Sequence, residues 1–223
     1  MNETILVTGA SGKIGSQIVA GFLQKGHDVI AVCSQLASKK SMTERFSNNP
    51  NLSVIALDLM GEQAIDCLIQ ELSRLEKSSY ILINNARDLK NMSIENHEKI
   101  PRGKFMAEFL LGVVIPYELT MALVACESTS LKVVLNISSI YGVVTPNLMI
   151  YERASDVVPA HYGVTKSALN HLTKELAVRL AAYQIRVNGL AFGGVEGRVN
   201  SEFKSRYEKL CPLTDLSVQG VAD

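Results

Sequence analysis

The feature of this sequence that most constrains its fold is a glycine-rich turn that follows the first apolar run. The run Thr4–Val7 leads into TGASGKIG at residues 8–15, and apolar residues then recur at helical spacing. Glycines at such a junction let the backbone turn tightly and approach a pyrophosphate, and the helix N-terminus presents N–H groups and a positive dipole to that anion. A P-loop is excluded, because Gly9–Gly12 is too short for GxxxxGK and Lys13 is followed by Ile14. The turn therefore indicates a dinucleotide site if strands and helices alternate along the rest of the chain.

The rest of the chain does alternate in this way. Parallel strands covered on both faces read as uniformly apolar runs, and every strand-like run here is of that kind. The pattern predicts an α/β fold with a doubly wound, Rossmann-like parallel sheet, as a single domain over residues 1–223. Five strands are expected after the first, at Val29–Val32, Val54–Leu57, Ile81–Ile83, Lys132–Ile137 and Ile185–Leu190.

Helical patterns separate these strands. Amphipathic spacing predicts helices over roughly residues 62–77 and over Ala168–Leu180. A long helical stretch is expected from about Lys104 to Glu127, with Pro116 kinking it. Residues 36–50 are described from the sequence only as polar.

Composition excludes several classes of function. The 223 residues include 22 basic and 22 acidic side chains, so the chain lacks the excess positive charge of a nucleic-acid surface. The longest apolar stretches, such as Phe109–Ile115, fall short of the roughly 20 residues that a membrane span needs, and no secretory segment is visible. Four widely spaced cysteines are typical of reduced thiols, and the four histidines show no metal-ligand spacing. We therefore expect a cytoplasmic protein with a small-molecule substrate and with no metal, nucleic-acid or membrane partner.

A candidate catalytic group lies in the second half of the chain. Tyr162 and Lys166 are four residues apart on a predicted helix, so that phenol and ammonium share one face. A free tyrosine has a pKa of about 10, and a neighbouring Lys⁺ lowers that pKa toward neutrality by stabilising the phenolate. Ser139 ends the fifth strand and could donate a hydrogen bond to a carbonyl or alkoxide oxygen. Because the carboxyl ends of the strands face one crevice, the glycine turn, Asn85, Ser139 and the loop after Leu190 should converge.

With these motifs in register, the chain resembles the short-chain dehydrogenase/reductase family over essentially its whole length. The resemblance implies NAD(P)-dependent hydride transfer, in which Tyr162 donates or accepts the proton, Lys166 binds the nicotinamide ribose, and Ser139 orients the substrate oxygen. The motifs that carry it are TGASGKIG at 8–15, Asp58, NNA at 84–86, NISS at 136–139, YGVTK at 162–166 and IRVN at 185–188.

The same resemblance implies where the cofactor lies. Asp58 and Leu59 would contact the adenine, and Asn85 the adenosine ribose. Val195 would contact the nicotinamide amide. The full set expected at the cofactor is Gly9, Ser11, Gly12, Lys13, Ile14, Gly15, Ser34, Asp58, Leu59, Asn85, Tyr162, Lys166 and Val195.

Cofactor preference depends on the end of the second strand. A carboxylate there would accept the adenosine ribose hydroxyls and favour NAD, but the sequence has Cys33, Ser34 and Gln35. Lys13 and the pair at 39–40 offer positive charge to a 2′-phosphate. NADP is therefore favoured, and NAD is the alternative.

Three departures from the family pattern bear on the chemistry. Arg87 follows NNA where glycine is usual, Gly112 stands where an active-site asparagine usually anchors a water-mediated proton relay, and Phe192 replaces a proline. These departures keep two alternatives open. One is a catalytically weak cofactor-binding or regulatory protein, and the other is a sugar-nucleotide epimerase or dehydratase that recycles its cofactor.

The stretch between Ser139 and Tyr162 is longer than in most short members of the family. Its residues 146–152 either contact a polar substrate over the crevice or form a surface loop. Together with Phe192–Val195 and residues 202–213, this insert is similar to a subgroup linked to flagellin-glycan and surface-polysaccharide biosynthesis. A sugar or sugar nucleotide is therefore one expected substrate.

The resemblance also implies an assembly. In relatives, the helix around residues 104–127 and the helix that carries Tyr162 form a four-helix bundle between two subunits, so we expect a homodimer. Relatives usually continue beyond the stretch that resembles residues 212–223 with a helix and a seventh, edge strand. We therefore expect six strands, with the C-terminal seventh strand missing.

Overall fold

Six parallel strands form the centre of the fold. The computed structural model describes residues 3–47, 49–75, 77, 79–92, 99–152, 157–195 and 201–210. The strand order is β3-β2-β1-β4-β5-β6, and each neighbouring pair is parallel. The order reverses between β1 and β4, which opens a crevice at the carboxyl ends of the strands. The strands are β1 (Thr4–Thr8), β2 (Asp28–Cys33), β3 (Leu52–Ala56), β4 (Ser79–Asn84), β5 (Ser130–Ser139) and β6 (Arg186–Phe192).

Each predicted strand overlaps an observed one, and the doubly wound α/β fold is confirmed. The helices are α1 (Lys13–Gln24), α2 (Leu36–Arg45), α3 (Ala64–Arg74), α4 (Arg102–Phe109), α5 (Ile115–Ala125), α6 (Ala160–Leu180) and α7 (Ser201–Leu210). Helix α2 lies inside the segment that sequence patterning described only as polar. Its periodicity is invisible because Met42 is the one buried residue of the helix.

Alternate residues of each strand belong to different cores. In β1, Leu6 packs in one apolar cluster, whereas Ile5 and Val7 pack in the other. The first cluster receives residues from α3, α5 and α6, and the second receives residues from α1 and α2. Both faces of the sheet are thus covered, which is why the strands contain so few polar residues.

Helices α4 and α5 are joined by a π-helical segment, Leu110–Val114, into one continuous helical stretch. Pro116 lies in the first turn of α5, directly after this segment. Proline lacks the N–H that would bond the carbonyl of Gly112, four residues earlier, so a π-helical segment lies next to the position where the sequence predicted a kink.

The stretch Arg102–Ala125 is long and apolar enough to cross a membrane by length and composition. The uninterrupted apolar run Phe109–Ile115 is shorter than this stretch, because charged residues such as Glu108 and Glu118 limit it. The helix buries Leu111, Leu119 and Leu123 in the core. Core helices of soluble proteins pass the same length test.

Strands β3 and β6 are the edges of the sheet in the described part of the chain. Leu190 of β6 is 42% exposed. The expected position of a seventh strand, after residues 212–223, lies outside the described residues.

Candidate active site

The glycine turn between β1 and α1 is shaped by backbone contacts. Gly9 has φ +62°, and a Cβ on it would lie only 2.6 Å from Ala86 Cα. The Gly12 N–H donates to Gly9 O at 3.1 Å, and α1 begins at the next residue. Gly9 is thus packed directly against the backbone of Ala86, and α1 begins where the turn ends. The N–H groups at the start of such a helix can donate to a phosphate group that lies close to the main chain.

The Asn85 side chain stabilises this turn through hydrogen bonds to its backbone. Its Nδ2 donates to the carbonyl oxygens of Thr8 and Gly9, both at 3.1 Å. The Thr8 hydroxyl in turn accepts from the N–H groups of Asn85 and Ala86 at 3.0 and 3.1 Å. The structure places Asn85 and Gly15 under the turn, and neither is among the described residues that line the two cavities below.

A cavity of about 340 Å³ opens between the turn and the carboxyl ends of β2 and β3. Asp58 Oδ1 accepts from the Met60 N–H at 3.1 Å, which fixes the loop that forms one wall. The cavity brings together six of the residues expected at the cofactor: Gly9, Ser11, Gly12, Ser34, Asp58 and Leu59.

A second cavity of about 250 Å³ lies at the carboxyl ends of β5 and β6. Arg87 lines this crevice and also the first cavity, so the two spaces meet at Arg87. The residues predicted from the sequence that line the crevice are Lys13, Ile14, Ser139, Tyr162 and Val195.

Two of these residues are presented by neighbouring elements. Ser139, the last residue of β5, is 6% exposed, and its Oγ accepts from the Tyr141 N–H at 3.2 Å. This leaves the hydroxyl hydrogen available as a donor. Tyr162 lies in the first turn of α6 and is 9% exposed. Both side chains therefore reach the crevice from rigid elements.

A polar chain fixes α6 on the sheet. Asn84 Nδ2 donates to Asn136 Oδ1 at 2.8 Å, and Asn136 Nδ2 donates to Thr173 Oγ1 at 2.9 Å. The Thr173 hydroxyl then donates to Leu169 O at 2.7 Å. These bonds join β4, β5 and α6 in the buried interior, where satisfied polar groups specify one arrangement.

Lys166 lies one helical turn after Tyr162 and is buried. Its Nζ donates to Ile137 O at 2.8 Å. The pKa of Lys166 is lowered to about 8, mainly by burial and to a smaller extent by the Arg87 charge, and the Glu108 carboxylate opposes both effects. A void of about 10 Å³ beside Lys166, which Gly112 and Asn84 also line, is about the size of one water molecule.

Glu108 is a site residue that sequence reasoning missed. It is 2% exposed, and its Oε1 lies 3.9 Å from Arg87 Nε. The Arg87 guanidinium carbon lies 4.1 Å from the centroid of the Tyr162 ring. The available signal was a glutamate directly before the apolar run Phe109–Ile115, but its partner comes from the distant loop after β4.

The asparagine side chain that the family pattern places at Gly112 does not fit beside the Thr165 side chain as it is placed here. A Cβ at this position would run into Thr165 Cγ2. Glu108 is a polar side chain on the same helical stretch, and its carboxylate is close enough to raise the pKa of Lys166.

The insert and α7 build an aromatic wall on the crevice. The hydroxyl groups of Tyr141 and Tyr151 share a hydrogen bond of 2.5 Å. Phe203 of α7 lies 5.2 Å from the Tyr151 ring and 5.8 Å from the Tyr207 ring, centroid to centroid. Tyr207 Oη accepts from the Gly194 N–H at 3.0 Å, so α7 is tied to the loop after β6. Burial raises the pKa of both Tyr141 and Tyr151, which keeps their phenols protonated.

The insert lies partly on the crevice and partly on the surface. Tyr151 lines the crevice, whereas Leu148 and Met149 are exposed. Arg206 Nε donates to Ile150 O at 2.8 Å and so attaches the insert to α7. Among the residues described, no group of three His, Cys, Asp or Glu side chains is placed to hold a metal ion.

A family sequence model and a flagellin modification protein both match most of this chain. The sequence model of a family described as short chain dehydrogenase matches residues 3–208. The post-translational flagellin modification protein A of Campylobacter coli is 28% identical over 236 aligned positions, which cover 94% of this chain and 84% of that protein.

Two solved structures share the fold. A short chain dehydrogenase from Leptospira borgpetersenii with bound NAD+ has a TM-score of 0.78 at 26% identity, over 94% of this chain and 78% of that one. The NADP complex of RhlG from Pseudomonas aeruginosa has a TM-score of 0.73 at 26% identity, over 93% and 77% respectively.

Proposed function

Because the chain belongs to the short-chain dehydrogenase family, and so is an NAD(P)-binding oxidoreductase, we propose that it transfers a hydride between this cofactor and a secondary alcohol or ketone. The observation that supports this proposal most strongly is the crevice itself. The phenol of Tyr162 and the hydroxyl of Ser139 line one cavity, and Lys166 lies one helical turn from Tyr162.

The residues fit a dinucleotide. The glycine turn lines the first cavity and leads into the N-terminus of α1, which suits a phosphate, and the two cavities that meet at Arg87 suit the adenosine and nicotinamide halves. The bound cofactor would supply or accept the hydride. Among the expected contacts, Asn85 and Gly15 would act by shaping the turn.

The proton is handled by this chain's own residues. In reduction, the Tyr162 phenol donates its proton to the carbonyl oxygen of the substrate, while the Ser139 hydroxyl donates a hydrogen bond to the same oxygen. At pH 7, below its pKa of about 8, Lys166 is mainly protonated, so its charge favours the phenolate that Tyr162 becomes. Oxidation of an alcohol reverses these transfers.

NADP remains the favoured cofactor in this proposal. Ser34 and Gln35 line the first cavity at the end of β2, where a carboxylate would select NAD. The cations do not all support the preference: Lys13 lines the catalytic crevice, and Lys40 pairs with Glu44 on the exposed side of α2.

A sugar or sugar nucleotide is the proposed substrate. The wall formed by Tyr141, Tyr151, Phe203 and Tyr207 offers flat apolar faces together with phenolic hydroxyl groups, which match the faces and hydroxyls of a sugar ring. The similarity to a flagellin modification protein supports a role in surface-glycan biosynthesis.

The proposal includes a cytoplasmic homodimer. The described cysteines Cys33, Cys67 and Cys126 are free thiols, as in a reducing compartment. The helices expected at the dimer interface expose apolar side chains: Met106, Tyr117, Val164 and Val178.

The test of this function is Tyr162→Phe, assayed on a panel of sugars, sugar nucleotides and simple ketones. We expect turnover to fall by about 10²–10⁴-fold, because the phenolic proton is lost, while the ring and its packing remain. NADPH and NADH binding, followed by fluorescence titration, should be retained, with NADPH binding more tightly.

The matched control is Tyr183→Phe, which removes an exposed phenol from the 3-10 turn that follows α6 and should leave turnover unchanged. Full turnover in Tyr162→Phe would disprove the proposed role of this tyrosine. Product formation without a net change in NADPH absorbance would indicate an epimerase or dehydratase instead.

A further inference from the structure

Arg87 occupies an unusual place in the site. It follows the bracing residues Asn85 and Ala86 at the end of β4, and its guanidinium lies over the Tyr162 ring. Its side chain is 25% exposed and lines both cavities. A molecule that extended from one cavity to the other would pass this guanidinium.

The contact between Arg87 and Glu108 does not explain this placement. Their nearest charged atoms are 3.9 Å apart, which is too long for a hydrogen bond. Arg87 Nε and Glu108 Oε2 are both buried without a hydrogen-bond partner. A buried ion pair without hydrogen bonds does not recover the cost of removing its charges from water, so the pair is poorly suited to a purely structural role.

The charges around the crevice favour an anion. Its described lining residues include the cations Lys13 and Arg87 and no carboxylate. Glu108 lies behind Arg87 and supplies a counter-charge when no anion is bound. A guanidinium over an aromatic ring keeps the planar fork of N–H donors that suits phosphate and carboxylate oxygens.

We infer that Arg87 is an anion-binding residue at the junction of the two cavities. It takes a phosphate or carboxylate oxygen, which comes either from the dinucleotide or from an anionic group on the substrate. The assignment of the substrate source rests on the proposed function, whereas anion binding itself can be measured without turnover.

The first experiment uses the ligand-free protein. Inorganic pyrophosphate and NADPH are titrated by calorimetry into the wild type, Arg87→Met and Arg87→Lys. If the dinucleotide supplies the anion, Arg87→Met should weaken both affinities at least 10-fold. Arg87→Lys should show an intermediate loss, because it keeps the charge and loses the fork.

The second experiment uses protein saturated with NADPH. Malonate and inorganic phosphate are titrated into the same variants. If the substrate supplies the anion, the loaded wild type should bind one of these probes, Arg87→Met should lose that binding, and NADPH affinity should be unchanged.

The matched control is Arg179→Met, which removes one positive charge from the exposed end of α6 and should change neither titration. Circular dichroism and thermal melting show whether Arg87→Met folds. If Arg87→Met does not fold, the comparison of Arg87→Lys with the wild type takes its place. The inference is overturned if the Arg87 variants bind all probes as the wild type does. It is also overturned if Arg87→Met binds NADPH more tightly, since Arg87 would then be an obstruction.

Discussion

The glycine turn and the catalytic face of α6 differ in how their buried polar groups are satisfied. Around the turn, the Thr8 hydroxyl and the Asn85 amide are bonded to backbone groups of both connected segments. Around α6, buried polar atoms lack a partner. In the described part of the chain, four of the five such atoms are here, on Arg87, Glu108, His161 and Thr165.

This difference separates a structural task from a chemical one. The turn must hold one backbone shape, so its polar groups are used internally. The catalytic face keeps polar atoms without partners at a cost in stability, and among these four residues Arg87 lines the cavities, where a ligand can reach its guanidinium. The two regions should therefore respond in opposite ways to substitution.

The largest effect is expected from Gly9→Ala in the turn. The new Cβ meets Ala86, and the alanine must adopt a positive φ. We therefore expect the free energy of unfolding to fall by about 3 kcal/mol and NADPH binding to be lost. Urea unfolding and fluorescence titration measure the two effects.

Gly26→Ala is the control for this prediction. Gly26 has φ +79°, but a Cβ there meets nothing within 4 Å, so only the conformational cost of about 1 kcal/mol should remain. Equal losses in the two variants would show that the contact with Ala86 does not shape the turn.

A smaller, pH-dependent effect is expected from Lys166 on the catalytic face. Its pKa is lowered from 10.5 to about 8 in the folded chain. Between these values the unfolded chain binds a proton that the folded chain has released, so stability rises with pH there. The penalty for burying the charge is fully present below pH 8.

Comparison of the wild type with Lys166→Met isolates this contribution. From pH 8 to 10, the wild type should gain about 1 kcal/mol per pH unit relative to the variant, as measured by urea unfolding. Other groups, such as Tyr80, titrate in both proteins, so their contributions to the pH dependence cancel in the comparison. Parallel stability curves would mean that Lys166 is not destabilised by burial.

The contrast between the two regions also explains what the sequence could predict. The strands were predictable because buried parallel strands are uniformly apolar. The turn was predictable because the positive φ at Gly9 favours glycine there. Tyr162 and Lys166 were predictable because their spacing is local to one helix. Asn85 was identified, but its place under the turn depends on the two carbonyl oxygens that it meets.

Features that depend on distant pairs were not predictable. The contact of Arg87 with Glu108 joins a loop to a helix, and the packing of Tyr151 on Phe203 joins the insert to α7. No local spacing encodes either contact. Helix α2 was missed for a different reason, since it is almost entirely exposed and carries no apolar stripe.

The smallest effect, and the sharpest comparison, comes from one substitution made twice in α6. Thr173 bonds both Asn136 and Leu169, so Thr173→Val should destabilise the protein by about 1–2 kcal/mol. The Thr165 hydroxyl is buried without a partner, so Thr165→Val should leave stability unchanged or raise it by up to about 1 kcal/mol. Thermal and urea unfolding of both variants measure the difference. If Thr165→Val is as harmful as Thr173→Val, a bound water must satisfy that hydroxyl, and the catalytic face would be as fully hydrogen-bonded there as the turn.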